Sequence, residues 1–206
     1  MSYIRPIMAI LALVFSSVAS MADQVETASI AESFAKTDCN WCHLPARQGY
    51  QAAPQLSGQR RQYIENQLRA YHTHSQDGPF AEKYMWGAAA RLNPDSAHGL
   101  AAYFSTLSAE PAEDGDKQLA AAGEQIYREG TPATSVPSCA VCHGLNAEGI
   151  GEIPRLGGLS YHYLKRKLEE WGKGYNAAAG GQMPGIANNL SPSQIDALAS
   201  YLSFVR

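Results

Sequence analysis

The sequence predicts an all-α protein in which one helical unit is used twice, and three observations carry that expectation. The pentapeptide Cys39-Asn40-Trp41-Cys42-His43 returns 100 positions later as Cys139-Ala140-Val141-Cys142-His143. The segments behind it answer one another at the same offset. Pro54-Gln55-Leu56-Ser57-Gly58 matches Pro154-Arg155-Leu156-Gly157-Gly158, Tyr63 matches Tyr163, Leu68 matches Leu168, and Tyr71 matches Trp171. No stretch alternates apolar and polar residues as a half-buried strand does.

Taken in order, residues 1–22 read as a secretory signal. Arg5 supplies the positive region, Ile7 to Val18 an apolar run, and Ser20-Met21-Ala22 a small-x-small cleavage site. The run is short for a bilayer span, so cleavage after Ala22 is expected, and nothing downstream is apolar enough to cross a membrane. The two units then occupy residues 23–107 and 118–206. Leading helices are predicted over Val25–Lys36 and Lys117–Glu129, and middle helices over Gln59–Tyr71 and Ser160–Trp171. A glycine-bearing loop with one methionine follows in each unit, Met85 to Leu92 matching Met183 to Leu190 at an offset of 98. Closing helices open at Asn93-Pro94 and Ser191-Pro192, each a capping residue followed by proline at the first helical position. Leu100, Phe104 and Leu107 form the apolar stripe of the first closing helix. Ile195, Leu198, Leu202 and Val205 form that of the second. Between the units, residues 108–117 hold four acids, a proline and a glycine, which reads as an exposed linker. The second unit has an extra loop, Glu129 to Ser138, to which the sequence assigns no role.

Charge excludes one class of partner. The formal net charge is −3 and becomes −4 once Arg5 leaves with the signal. Nine acids face seven bases in residues 23–110, and ten face eight in residues 111–206. Nucleic-acid binding would want a basic face. Units this small also hide a modest share of their surface when they fold alone.

The repeated pentapeptide is the attachment signature of c-type haem. Cysteines three residues apart project from one side of a helical turn, so two thiols can add to the two vinyl groups on one porphyrin edge. The histidine after them is carried beneath the ring, where its imidazole can bind iron. Cys39, Cys42, Cys139 and Cys142 are all the cysteines present, which leaves none for another framework. A zinc site would place its pairs about 15–20 residues apart, and a thioredoxin-like dithiol would sit in a βαβ context. A disulfide within each pair suits an exported protein but leaves His43 and His143 unexplained.

Iron held by porphyrin and one histidine keeps an open face. Of five methionines, Met1, Met8 and Met21 lie in the signal, so one survives per unit, at matching positions. A lone methionine is ordinarily core filler; here number, position and glycine context favour Met85 and Met183 as ligands. His72 and His74 are the rivals in the first unit, with exposed loop positions as their plainer reading. His98 and His162 lack repeat partners and read as surface residues. Methionine–histidine ligation raises the potential and fills both faces of the iron, which suits moving electrons better than catalysis at the metal.

The chain resembles the dihaem cytochromes of the cytochrome c4 type, two class I cytochrome c domains in tandem. Cys-x-x-Cys-His, Pro-x-Leu-x-Gly, a Tyr-x-x-x-x-Leu helix and a methionine followed seven residues later by leucine carry the resemblance in both halves. It implies an all-α fold wrapped around each of two covalently attached haem c groups, and electron transport in the bacterial periplasm. It also implies that the carbonyl of Pro54 receives the second N–H of His43, and that of Pro154 the second N–H of His143. The first half departs from the pattern, with Leu44-Pro45 where Gly144 follows His143.

The function expected is a periplasmic electron carrier, one electron per haem, between respiratory donors and a terminal oxidase or reductase, with possible peripheral contact with a membrane. Two other readings stand beside it. One is the cytochrome subunit of a periplasmic dehydrogenase, such as a flavin enzyme oxidising sulfide. The other is a dihaem peroxidase or thiosulfate-oxidising enzyme, which would need an open or cysteine-ligated iron.

Overall fold

A computed structural model of the chain describes residues 29–44, 53–176 and 178–206. The signal assigned to residues 1–22 and the predicted start of the first leading helix lie outside the described residues. The described residues form helices joined by turns. The β-type pairing among them is confined to two isolated bridges, Thr131 with Val136 and Ile150 with Ile153.

In the first unit, α1 is helical over 29–34 and passes through a π-helical turn, Ala35–Cys39, into a last α-helical turn, Asn40–His43. The leading helix and the haem motif are therefore one continuous rod, rather than a helix ending at Lys36 with a separate turn behind it. α2 spans Arg61–His72. α3 comprises a π-helical turn, Ala81–Met85, and an α-helical turn, Trp86–Ala89. α4 is the closing helix, Pro94–Thr106. In the second unit, α5 is Lys117–Glu129, α6 Ala140–His143, α7 Tyr161–Gly172, α8 Met183–Ala187 and α9 Pro192–Phe204.

The caps follow local chemistry. Asn93 accepts a hydrogen bond from the Ser96 amide at 2.8 Å. Ser191 and Gln194 satisfy each other's backbone as a reciprocal capping box. The middle helices start later than their sequence pattern suggests, at Arg61 and Tyr161. Arg60 is extended, with φ −62° and ψ 127°, and both it and Gln59 direct their side chains to the other unit.

Each unit keeps its own core. Ala35, Ile64, Leu100, Ala101 and Phe104 are buried together in the first, with Leu107 packed at the edge. Tyr127, Leu159, Leu164, Leu168, Ile195, Leu198 and Leu202 lead a larger cluster in the second, and Val205 packs against it. Burying each large side chain contributes about 1.5–3 kcal/mol. Gly123 lets α5 cross α9 closely, because a Cβ there would sit 2.0 Å from the Ala197 carbonyl oxygen.

Residues 108–117 are not an exposed tether. Ala112 is buried and its amide donates to Gly158 O at 3.0 Å, while Glu113 N donates to Ser203 O at 3.0 Å. Asp114 accepts from Tyr161 N at 2.8 Å and from Ser160 Oγ at 2.7 Å, so an acid from this segment caps α7. The extra loop is a tight excursion. Thr131 and Val136 exchange backbone hydrogen bonds of 2.9 and 3.2 Å, and Val136 is buried in the core.

Candidate haem sites

In the second unit, the haem motif is tied to the end of α5 by Cys139 N donating to Tyr127 O at 2.9 Å. Cys142 N and His143 N both donate to Cys139 O, at 3.2 and 2.9 Å. Cys139 and Cys142 therefore lie one helical turn apart on the same side. The turn ends at Gly144, whose φ of +86° suits glycine and whose amide reaches back to Ala140 O at 3.0 Å. Tyr127, fully buried, donates its hydroxyl to Gly144 O at 2.6 Å.

The loop after Gly144 brings Pro154 behind the imidazole, where its carbonyl lies 3.0 Å from His143 Nδ1. A carbonyl can only accept, so Nδ1 carries the proton and Nε2 keeps its lone pair. Burial pushes the pKa of His143 down, which favours this neutral form. A neutral imidazole oriented through its second nitrogen is the state that binds a metal.

The first unit repeats the arrangement. His43 Nδ1 lies 2.7 Å from Pro54 O, and burial likewise lowers the His43 pKa. Leu44, in the place of Gly144, is extended with φ −61° and ψ 163°. Cys39 closes a π-helical turn in which Asn40 N reaches Ala35 O; such turns recur at functional sites.

All four thiols are free. Burial pushes both Cys39 and Cys139 up to about 11, whereas redox dithiols and nucleophilic cysteines need depressed values. Cys39 and Cys139 are thus poorly suited to thiol catalysis, and each pair stands beside a neutral imidazole with a free Nε2. That donor set fits covalent haem.

The predicted methionines sit on short helical turns rather than in open loops. Met85 ends a π-helical turn and Met183 begins α8; both are half-buried. Met183 packs on the same core cluster as Cys139. The rival histidines are exposed and engaged elsewhere. His72 Nδ1 lies 3.2 Å from Ala89 O, and His74 stacks on Trp86 with ring centroids 4.1 Å apart. His98 is exposed beside Glu65, with Nδ1 2.9 Å from its carboxylate, and His162 is exposed.

The contacts joining the units were not foreseeable from the repeat. Gln59 Nε2 donates to Arg155 O at 2.9 Å and its Oε1 accepts from Arg155 N at 2.8 Å. Arg155 Nη2 donates to Ser57 O at 2.9 Å, and Arg60 Nε to Gly149 O at 2.8 Å. The repeat-equivalent Tyr63 and Tyr163 are hydrogen-bonded to each other. Asp77 accepts from the backbone N–H of Asn176.

The family model for cytochrome c matches residues 120–205. Cytochrome c4 of Thiocapsa roseopersicina is 35% identical over 189 residues, covering 88% of this chain and 94% of that protein. The thiosulfate dehydrogenase electron acceptor of Thiomonas intermedia (strain K12) is 33% identical, covering 80% of this chain and 77% of its own. The solved structure of cytochrome c4 from Acidithiobacillus ferrooxidans superposes with a TM-score of 0.75 at 34% identity, covering 81% of this chain and 98% of the other.

Proposed function

The chain belongs to the cytochrome c4 family of dihaem electron-transfer cytochromes, and from that premise we propose that it is a periplasmic carrier relaying single electrons from a dehydrogenase to a terminal oxidase or reductase. Cys39 and Cys42 hold the first haem c, and Cys139 and Cys142 the second. His43 and Met85 would bind the first iron, and His143 and Met183 the second. The haem supplies an iron that cycles between ferrous and ferric states. The protein would supply neutral, oriented imidazoles, buried surroundings and one thioether sulfur per unit, a donor set that suits moving electrons.

One observation carries this reading. Each unit holds its histidine by the same bond, Nδ1 to a proline carbonyl, at 2.7 Å in the first and 3.0 Å in the second. Trp41 and Val141, 82% and 77% exposed, place an apolar side chain at the surface beside each cysteine pair, which suits brief contact with redox proteins. The thiosulfate dehydrogenase electron acceptor among its relatives supports a dehydrogenase as the donor. No helix among the described residues is long and apolar enough to cross a membrane.

The test begins with protein matured in a periplasm. Its intact mass should show two haem additions that survive acid–acetone extraction, and reductive titration should take up two electrons per chain. Haem that extracts, zinc in its place, or uptake of one electron would overturn the assignment. Chemical cross-linking in the native periplasm then identifies the donor and acceptor, with a dehydrogenase and an oxidase or reductase expected.

A further inference from the structure

The turn that presents Met85 is held from outside its own unit. Met85 closes the π-helical part of α3, where Trp86 N reaches back to Ala81 O. Phe80 precedes this turn in helical geometry, with φ −77° and ψ −35°, and its ring receives a cation from the second unit. The Arg166 guanidinium of α7 lies 4.3 Å from the Phe80 ring centroid and 5.5 Å from that of Tyr163. It is thus flanked by one aromatic ring of each unit. Glu170, one turn along α7, pairs with Arg166, and both side chains are largely buried. A second tie lies three residues before Phe80, where the Asp77 carboxylate accepts the backbone N–H of Asn176. A guanidinium over an aromatic face is attracted by the ring's π system, more strongly where water is excluded.

Geometry links Phe80 to the thioether. Hydrogen bonds five residues apart bring side chains at that spacing toward one face, whereas an α turn, at about 100° per residue, would set them about 140° apart. Fixing the Phe80 ring therefore fixes the direction in which Met85 projects. π turns are rare, so one that persists needs support from its surroundings. Among the described residues, the reverse tie is missing. Asn66 and Ala70 stand at the repeat positions of Arg166 and Glu170, and an exposed alanine, Ala178, lies five residues before Met183. The Met183 turn is held from within its unit, by Gly180 N donating to Asn176 O at 2.9 Å and Met183 N to Gly180 O at 3.0 Å.

We propose that Arg166 is a positioning residue for the haem site of the other unit: by holding Phe80, it orients the turn from which Met85 reaches the first iron. The two units are then coupled through ligand geometry as well as through their shared interface. The proposal rests on Met85 being the ligand of the first iron, a reading that Met85→Ala checks by itself.

The experiment compares the two-haem protein with Phe80→Leu, Arg166→Gln, their double variant and Phe80→Trp, using Met85→Ala and Met183→Ala to assign the signals of each haem. Phe80→Leu alters no charge and keeps apolar bulk, so it carries the test even where Arg166→Gln disturbs Glu170. Both single variants should weaken methionine-to-ferric charge transfer at the first haem. They should also speed carbon monoxide binding to its reduced form by about three- to tenfold, the scale of one partly buried cation–π contact. The double variant should match the larger single effect rather than multiply the two, because either change breaks the same contact. Phe80→Trp keeps an aromatic face against the cation and should keep the wild-type spectrum and rate. The second haem should be unaltered throughout, although Arg166 belongs to its unit; a merely structural role would disturb that haem first. Wild-type spectra and rates in both single variants overturn the proposal. So do multiplied effects in the double variant, or a change confined to the second haem. If Met85→Ala leaves the first haem unchanged, the ligand reading fails and the proposal with it. If Met85→Ala opens that haem while the Phe80 and Arg166 variants stay silent, the proposal alone fails.

Discussion

Gln59 offers its amide to the backbone of Arg155 as a neighbouring strand would, donating to the carbonyl at 2.9 Å and accepting from the N–H at 2.8 Å. Gln59 itself is buried, so this single side chain satisfies a donor and an acceptor of the other unit at once. Its repeat counterpart is Leu159, a core residue. The interface is thus asymmetric although the units are alike.

Gln59→Ala should cost about 1–3 kcal/mol, because both Arg155 groups lose their partner inside the interface. Gln59→Glu should cost at least as much, because it sets a buried carboxylate oxygen against the Arg155 carbonyl oxygen. Denaturant unfolding of the haem-loaded protein measures this. Separation of one transition into two would show that the bridge also couples the units. An unchanged midpoint for Gln59→Ala would mean that water replaces the amide without loss.

The interface shows where sequence reading stops. Caps such as Asn93 and Ser191 were legible because the capped amides lie within three residues. The haem motif was legible for the same reason, one turn containing its whole logic. Gln59, Arg60 and Arg155 find their partners 89–98 positions away, and nothing local marks a glutamine as an interface bridge. Composition misled at residues 108–117. Four acids and a glycine read as solvated, yet Asp114 spends its charge on the N-terminus of α7. Tyr127 falls within the helix predicted over Lys117–Glu129, but its hydroxyl's partner, Gly144 O, depends on how the haem turn folds back.

Gly123→Val tests how the second unit is closed. The crossing of α5 and α9 leaves no room at this position, and the obstacle is the Ala197 backbone rather than a movable side chain. Destabilisation of about 1–3 kcal/mol is expected, toward the upper end because a backbone must shift. Thermal unfolding should show the loss, with the spectrum of the first haem unaltered.

Asp196 gives a small acid-dependent term. It accepts from Lys165 Nζ at 2.6 Å and from the Tyr161 hydroxyl at 2.9 Å, and the Lys165 bond leads in holding its pKa below the ordinary carboxylate value. Its contribution is therefore present above the unfolded carboxylate pKa of about 3.9 and is lost as pH falls through the lower folded value. The pair is partly exposed, so screening limits it to about 0.5 kcal/mol. Asp196→Asn should lower stability by that amount at neutral pH, and the difference from wild type should vanish as pH falls through the lowered folded value of this carboxylate.

The two methionines separate a carrier from an enzyme. If Met85 and Met183 each close an iron, the oxidised protein should show methionine-to-ferric charge transfer from both haems and bind carbon monoxide, when reduced, only slowly. Met183→Ala should open the second iron alone, admit carbon monoxide there and lower that potential, because thioether ligation favours the reduced state. Met85→Ala should do the same for the first. Each effect should stay within its unit, since Met183 packs on the second core and Met85 belongs to the helical turn of the first. Potentiometric titration with carbon monoxide difference spectra reads all of this. Immediate binding by either wild-type haem would mean an open iron and return the catalytic reading. A Met85→Ala variant with an unchanged spectrum would pass the ligand role to His72 or His74. His72 could bind through Nε2 while its Nδ1 stays on Ala89 O, whereas His74 would have to unstack from Trp86, so a change in the aromatic signals of Trp86 would tell the two histidines apart.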